Sequence, residues 1–273
     1  MSTNNNAGRK ELARFLRSRR ERVSPSDVGL PLGTRRRISG LRREEVAVLA
    51  GVSTSWYTYL EQGREISPSP EVLDSLARVL RMSEDERRYM HVLAHGQVTK
   101  PGPLTPAPAA RDMLRSTMTI FEHHHLPVYA GDHRGDLLEW NKAATTYYED
   151  WSAYPPRERN IVRWMLLAPQ AKARLADWEQ DARDSVARWR AEAAKWPTDP
   201  RTRDLIAELA RVSPEFTRWW DSHDVQEHRA RVRRFRHPEL GLRPLRILPL
   251  FSPEFPATAI IVHLPLNSDI ADT

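Results

Sequence analysis

Apolar residues recur at helical spacing throughout the first hundred residues of the chain. In residues 8–22, "GRKELARFLRSRRER", the side chains of Leu12, Phe15 and Leu16 fall on one face of a helix. Comparable patterns cover four later segments, residues 41–50, 53–62, 69–82 and 83–94. This part of the chain is therefore predicted to be a domain of five short helices.

The remaining residues combine segments of helical spacing with strand-like segments. One helix is predicted at residues 113–124, and the stretch that follows, "LPVYAGDHRGDLLEWN", reads as a β-hairpin. Helical spacing then covers residues 159–196, residues 204–211 and a segment that starts at Ser213. Residues 232–264 contain three strand-like segments. A hairpin, several helices and three strands favour an α+β domain with an antiparallel sheet.

A proline-rich stretch, "GQVTKPGPLTPAPAARD", separates these two parts of the chain. Proline fixes φ and removes a backbone donor, so neither helix nor sheet is expected to persist there. The sequence therefore predicts a first domain at residues 1–98, a linker at residues 99–110 and a second domain at residues 111–268.

One helical pattern is interrupted by a glycine and resumes at once, in "VAVLAGVSTSWYTYLEQG". Gly51 can adopt the positive φ that ends many helices, and the Ser53 hydroxyl can cap the next helix. Ala47 is small at the point where the two helices would cross. Two short helices joined by a tight turn are typical of a helix-turn-helix, whose second helix can enter the major groove of DNA.

The excess positive charge lies entirely in the first part of the chain. The formal net charge is +6. Residues 1–100 contain 18 basic and 12 acidic residues, whereas residues 101–273 contain 24 of each. A positive field on one domain favours a polyanionic partner such as DNA. The alternative is a basic, solvated surface that has no partner.

Several classes of function have no support in the sequence. With no cysteines, no apolar run near the length of about 20 residues that spans a membrane and no signal-like start, we expect a cytoplasmic protein. The motifs G-x-S-x-G and H-E-x-x-H are absent, as are the phosphate loop and the dinucleotide-binding glycines, so no enzyme is expected. The consecutive residues His123–His125 cannot all face one point, so we expect no metal site and no cofactor.

The segment "REEVAVLAGVSTSWYTYLEQG" resembles the lambda-repressor-like helix-turn-helix domains of the XRE class, and the likeness extends over residues 8–95. This resemblance implies an all-α domain that binds double-stranded DNA, with Glu61 in a structural role. The implied contacts to base edges come from Thr54, Ser55 and Tyr59. The implied contacts to the DNA backbone come from Arg43, Ser53 and Arg64.

Some of these positions allow two interpretations. Thr54 and Ser55 can also act as simple helix caps, and Trp56 either touches DNA or packs in the core. Arg35, Arg36 and Arg37 precede the motif, where they either contact phosphates or the minor groove or form part of a solvated loop.

The whole chain resembles the MmyB-like transcription regulators of actinobacteria. The likeness rests on the helix-turn-helix segment, on the hairpin quoted above, and on "ERNIVRWMLLAPQAKARLADWE", "SPEFTRWWDSHDV" and "HPELG". It implies that the second domain is PAS-like, with an antiparallel sheet and helices around an apolar pocket. The family suggests a fatty-acid-like or other small apolar ligand.

Six residues are candidates for such a pocket, because it needs apolar walls and a few polar groups. They are Trp140, Asn141, Trp164, Trp220, His223 and Asp224. As alternatives, the tryptophans are ordinary core residues, Asn141 caps a helix, and His223 with Asp224 makes a structural hydrogen bond.

The sequence thus predicts a dimeric, ligand-responsive regulator that binds operator DNA and no membrane. In a second interpretation, the C-terminal domain only dimerises or contacts RNA polymerase and takes no ligand. A third interpretation, an enzyme fused to a DNA-binding domain, has no catalytic set of residues to support it.

Overall fold

The computed structural model describes residues 2–31, 40–96, 108–251 and 257–266. The chain divides into two compact units, and each contains more than one stretch of sequence. The helical unit consists of Met1–Thr99, Ala194–Asp199 and Asp221–Gln226. The sheet unit consists of Lys100–Ala193, Pro200–Trp220 and Glu227–Thr273. Most of the predicted linker, residues 99–110, lies outside the described residues, so the three-segment division stays a prediction.

The described residues in the N-terminal part of the helical unit form five α-helices, as the hydrophobic pattern predicts. They are α1 (Ser2–Arg22), α2 (Arg43–Ala50), α3 (Thr54–Glu61), α4 (Pro70–Val79) and α5 (Glu84–His95). Ser53 and Ser83 cap α3 and α5, since their hydroxyls accept hydrogen bonds from the N–H groups of Trp56 and Glu86. The predicted helix-turn-helix is formed by α2 and α3.

These five helices share one apolar core. Phe15, Val46, Tyr57 and Leu73, from α1 to α4, are fully buried. Gly51 ends α2 with a φ of 73°, which a residue with a Cβ rarely adopts. The sequence pattern places the same residues on the inner faces of the helices, so the core of this unit follows from local periodicity.

The sheet unit contains seven α-helices and five strands among its described residues. The helices are α6 (Pro108–Ile120), α7 (Lys142–Tyr147), α8 (Ile161–Leu167), α9 (Pro169–Arg174), α10 (Trp178–Ala193), α11 (Pro200–Val212) and α12 (Pro214–Asp221), whose last residue belongs to the helical unit. The strands are β1 (Val128–Asp132), β2 (Leu137–Trp140), β3 (Arg231–His237), β4 (Gly241–Phe251) and β5 (Thr258–Pro265).

The helical region predicted at residues 159–196 is in fact divided into α8, α9 and α10. Pro169 cannot donate to the helix before it and starts α9 instead. Leu175 adopts an extended conformation and makes a bridge with Phe235 of β3. The apolar periodicity continues across both breaks, which is why the sequence reads as one long helix.

The five strands form one antiparallel sheet in the order β2-β1-β5-β4-β3. Val262 of β5, the last strand in the sequence, pairs with Val128 of β1 on one side and with Leu248 of β4 on the other. The predicted architecture, a helical domain followed by an α+β domain with an antiparallel sheet, is confirmed.

The two faces of the sheet have different surroundings. On the inner face, Tyr129 and Phe235 join the main core together with Tyr148 and Trp151. On the outer face, helix α6 packs on β1 and β2, and its Leu114 joins a smaller cluster with Val128 of β1 and Val262 of β5. No helix among the described residues is long and apolar enough to cross a membrane.

Candidate functional site

Helix α3 presents polar side chains to solvent at its N-terminus. Ser53, Thr54 and Ser55 are exposed, and the Ser53 hydroxyl accepts a hydrogen bond from the Trp56 N–H at 3.2 Å. Tyr59 lies one turn after Ser55 on the same side of the helix and is 40% exposed. The three positions to which the sequence assigned base contacts are therefore all accessible on α3.

The opposite side of α3 is anchored by a buried carboxylate. Oε1 of Glu61 lies 2.5 Å from Nε of Arg20 in α1, and Oε2 lies 2.7 Å from Nε of Arg43 in α2. Burial alone would raise the pKa of Glu61, but the hydrogen bonds from these arginines outweigh it and lower the pKa below its usual value. Glu61 thus ties α3 to both α1 and α2.

Basic side chains flank the exposed face of α3. The guanidinium of Arg64 lies 4.2 Å from the centroid of the Tyr59 ring, in cation–π geometry, and is itself exposed. Arg43 at the start of α2 is 39% exposed in its side chain while Nε is bonded to Glu61. Trp56 is half-buried, so both of its predicted roles stay open. Arg35, Arg36 and Arg37 lie outside the described residues.

The sheet unit contains a cavity of about 100 Å³ that is partly open to solvent. Its wall is formed by the inner face of the sheet and by helices α8 and α10. The apolar lining includes Tyr129, Ile161, Val162, Met165, Trp189, Phe251 and Ile261. The polar lining includes Asp132, His133, Ser185, Arg188, Glu192, His228, Arg231 and Arg233. An apolar cavity with a few polar groups is the usual form of a small-molecule site.

Three arginines in this lining, Arg188, Arg231 and Arg233, bring positive charge into the cavity. Arg233 is buried, and its Nε donates to Oδ1 of Asp181 at 3.0 Å. Burial and the charges of Arg231 and Arg233 lower the pKa of Arg188 well below its usual value. Burial and Arg233 likewise lower the pKa of Arg231 to about 10. The three guanidinium groups thus lie close enough for each positive charge to act on the others.

Two hydrogen-bond donors in the lining have no acceptor among the described residues. They are Nε1 of Trp189 and Nε of Arg231, and both atoms are buried. Buried donors are normally satisfied by protein, water or a bound molecule. The cavity therefore combines apolar walls with N–H groups that can bind an acceptor.

The six residues that the sequence assigned to a pocket do not line this cavity. Trp140 packs in the core, where its ring centroid lies 5.7 Å from that of Trp151. Trp164 donates a hydrogen bond from Nε1 to Oε2 of Glu149 at 2.9 Å. Asn141 caps α7, with Oδ1 accepting from the N–H groups of Ala144 and Val128. The hydrogen-bonding groups of Trp164 and Asn141 are used within the protein and the Trp140 ring packs on Trp151, so the three residues support the fold around the cavity.

The other three candidates lie at the end of α12 and just after it. Trp220 stacks with Arg190, whose guanidinium is 4.0 Å from the ring centroid. His223 and Asp224 are part of the helical unit, where His223 contacts Glu11 and Asp224 accepts from Arg22. The sequence could not show this, because it gives no distance between residue 223 and residue 11.

Sequence reasoning missed the arginines of the cavity. One signal was present: in "RVRRFRH", Arg231 and Arg233 alternate with other residues and share a strand face with the apolar Phe235. Arg188 on α10 has no comparable signal, because its helix is rich in charge on several sides.

The described residues contain no group of side chains that could hold a metal ion. Nδ1 of His124 accepts from the Leu126 N–H at 3.2 Å, and the ring stacks on His125.

Comparison with known protein families places both sites within matched segments. Residues 11–90, which include α3, match the model of a helix-turn-helix domain. Residues 111–272, more than half of the chain and including the whole cavity, match the model of the MmyB-like transcription regulator ligand binding domain. A comparison with curated proteins gives no match.

Proposed function

The chain belongs to the MmyB-like transcription regulators, and from this premise we propose that it binds operator DNA through α3 and responds to a small acidic lipid-like molecule in its sheet unit. Membership of this family implies DNA binding and a ligand-binding domain. The residues that contact DNA, the chemistry of the ligand and the dimeric state are our proposals.

The proposed DNA contacts divide into base readout and backbone positioning. Thr54, Ser55 and Tyr59 read base edges in the major groove, since they are exposed on one side of a short helix. Arg43 and Arg64 hold phosphates, supported by their exposure beside that side. The Glu61 network makes this possible because it fixes α3 against its neighbours before DNA arrives.

The observation that carries the ligand proposal is the placement of Arg188, Arg231 and Arg233 in an apolar cavity. A carboxylate or similar anion on the ligand would be attracted by the three positive charges and would accept from the buried N–H groups of Trp189 and Arg231. The apolar part of the ligand would cover Met165, Ile261 and their neighbours. This combination fits a fatty acid better than a wholly apolar molecule.

We further propose that the protein acts as a homodimer in the cytoplasm. One helix-turn-helix reads few base pairs, and two copies on a pseudo-palindromic site, spaced by about one helical turn, supply the usual affinity and specificity.

Dodecanoate and dodecanol, which share a chain length and differ in the acid group, test the ligand proposal. We expect isothermal titration calorimetry on the full-length protein to show tighter binding of dodecanoate. Equal binding of both compounds would contradict the role of the arginines. If neither binds, the interpretation in which the C-terminal domain only dimerises or contacts RNA polymerase is favoured.

The DNA proposal is tested by selecting duplexes from a random library with the full-length protein. We expect a pseudo-palindromic consensus and an affinity that falls steeply with salt. Failure to enrich any sequence would contradict specific readout by α3.

A further inference from the structure

Helix α12 leads from the sheet unit directly into the helical unit. Its residues up to Trp220 belong to the sheet unit, and Asp221–Gln226 belong to the helical unit. The chain therefore passes from one unit to the other at the peptide bond between Trp220 and Asp221. The contacts on each side of this bond can be followed within a single unit.

On the sheet-unit side, Trp220 is packed against a wall of the cavity. Its ring centroid lies 5.6 Å from that of Trp189, a cavity-lining residue, and 5.2 Å from that of Phe216. Arg190, the residue after Trp189 in α10, stacks on Trp220 and donates to its carbonyl oxygen. A displacement of the Trp189 indole therefore acts directly on Trp220, because close-packed side chains leave little room for independent movement.

On the helical-unit side, the residues after Trp220 are bound tightly to α1. Arg22 donates to Oδ1 of Asp224 at 2.7 Å and to the Ser222 carbonyl oxygen at 2.5 Å. Arg19, which is 3% exposed in its side chain, donates to the His223 carbonyl oxygen. His223 has a φ of 55°, so the segment turns sharply at this contact.

Helix α1 in turn contacts the helix that carries the proposed base-reading residues. Arg19 forms an ion pair with Glu86 of α5 at 2.8 Å. The next residue, Arg20, bonds the buried Glu61 at the end of α3. Two consecutive arginines of α1 thus connect residues 222–224 to the anchor of α3.

We propose that Trp189, Trp220 and the Ser222–Asp224 segment relay the state of the cavity to α3 through Arg19 and Arg22 of α1. The relay rests on the proposed function, because it needs a ligand that contacts Trp189. A ligand that accepts from the Trp189 indole favours one position of the Trp189–Trp220 pair. It changes DNA affinity to the extent that it binds better to one arrangement of the relay than to the other. Asp224 and Trp220 are positioning residues that contact neither the ligand nor DNA.

The charge-matched pair of variants Asp224→Asn and Asp221→Asn tests the relay. Both remove one carboxylate from the same segment, but Asp221 is exposed and lies outside the contacts with Arg22. Dodecanoate is the probe, and the DNA is the duplex that the wild-type protein selects. Fluorescence anisotropy gives the Kd of the duplex with and without saturating dodecanoate, and calorimetry gives the Kd of dodecanoate.

In the wild type and in Asp221→Asn we expect dodecanoate to change the duplex Kd by about fivefold or more. In Asp224→Asn we expect the change to fall below about twofold while the dodecanoate Kd stays within about twofold of the wild type. Full retention of the change in Asp224→Asn overturns the relay. So does a wild type that binds dodecanoate without any change in DNA affinity.

A second measurement needs no ligand and separates the relay from the proposed function. Hydrogen–deuterium exchange is compared between the wild type, Trp189→Phe and the control Trp140→Phe, which alters a tryptophan elsewhere in the same core. We expect faster exchange in residues 221–226 and in the last turn of α1 for Trp189→Phe alone. Unchanged exchange there overturns the relay. Faster exchange in a protein that binds no dodecanoate supports the relay and contradicts only the proposed ligand.

Discussion

Arg20 of α1 and Glu61 of α3 form an ion pair in the interior of the helical unit, with Nε and Oε1 2.5 Å apart and both side chains buried. Because a second arginine, Arg43, bonds the other carboxylate oxygen, the C-terminal end of α3 is held by two helices at once. This arrangement gives the polar face of α3 a fixed direction, which base readout requires.

Replacing Glu61 with Gln is expected to lower the free energy of unfolding of the helical unit by about 3 kcal/mol, because Arg20 loses its buried counter-charge and keeps only the partly exposed Glu21 at 3.6 Å. Urea denaturation followed by circular dichroism measures the loss. The control is Glu65→Gln, since the Glu65 side chain is 86% exposed and its pair with Arg9 contributes less than about 1 kcal/mol. Equal losses in both variants would contradict the anchoring role of Glu61.

Stability of the sheet unit is expected to depend on pH through His263. Nδ1 of His263 lies 2.8 Å from the Pro127 carbonyl oxygen, so Nε2 is the acceptor for the Tyr148 hydroxyl at 2.7 Å. Burial, with a smaller effect of the charge on Arg233, lowers the pKa of His263 from 6.5 to about 3. The unfolded chain therefore binds a proton between these pH values that the folded chain does not.

The free energy of unfolding should accordingly fall by about 1.4 kcal/mol for each pH unit between about pH 6 and pH 4 on account of this histidine. His263→Gln, which does not titrate, should show a shallower pH dependence by that amount. Tryptophan fluorescence follows the unfolding, since eight of the nine tryptophans lie after residue 100. If the free energy of unfolding depends on pH equally in both proteins, His263 is not the group responsible for this pH dependence.

Arg64→Ala is expected to weaken binding to all duplexes alike and to reduce the slope of log K against log salt by about 1, because it removes one phosphate contact. Anisotropy titrations at several salt concentrations measure both effects. Arg17→Ala is the matched control, as Arg17 is an exposed arginine on α1. A change of base preference in Arg64→Ala would instead assign this residue to base readout.

Unlike Arg64→Ala, Ser55→Ala should change base preference and leave the salt dependence of binding unchanged. Loss of a hydroxyl contact to a base edge is expected to reduce discrimination at one position of the site by about 1 kcal/mol and to leave the salt slope unchanged. Repeating the duplex selection with the variant gives the position. An unaltered consensus would contradict base readout by Ser55.

Arg188→Met should weaken dodecanoate binding by at least about tenfold, because a charge-assisted hydrogen bond contributes about 1.5–3 kcal/mol. Arg188 is buried, and replacing a buried charged side chain with an apolar one of similar volume is often neutral for stability, so the variant without ligand should be about as stable as the wild type. Calorimetry and thermal unfolding measure the two effects. Arg203→Met, at an exposed position of α11, is the control. Unchanged dodecanoate binding would exclude Arg188 as a partner of the acid group.

The elements that rest on local pattern could be predicted closely. The caps Ser53 and Ser83, the break at Gly51 and the hairpin from Val128 to Trp140 all lie where the sequence places them. The region from residue 159 to residue 196 was read as continuous helix, because periodicity alone does not show that Pro169 and Leu175 divide it.

The sequence by itself determined a basic helix-turn-helix domain, an antiparallel α+β domain and the exposed hydroxyls of α3, because each depends on residues close together in the chain. Only the tertiary structure decided that Arg188 meets Arg231 and Arg233 in one cavity, and that His223 and Asp224 contact α1. The physical reason is that these contacts join residues far apart in sequence. Periodicity and capping specify the face on which a side chain lies, but the packing of whole elements specifies what that face meets.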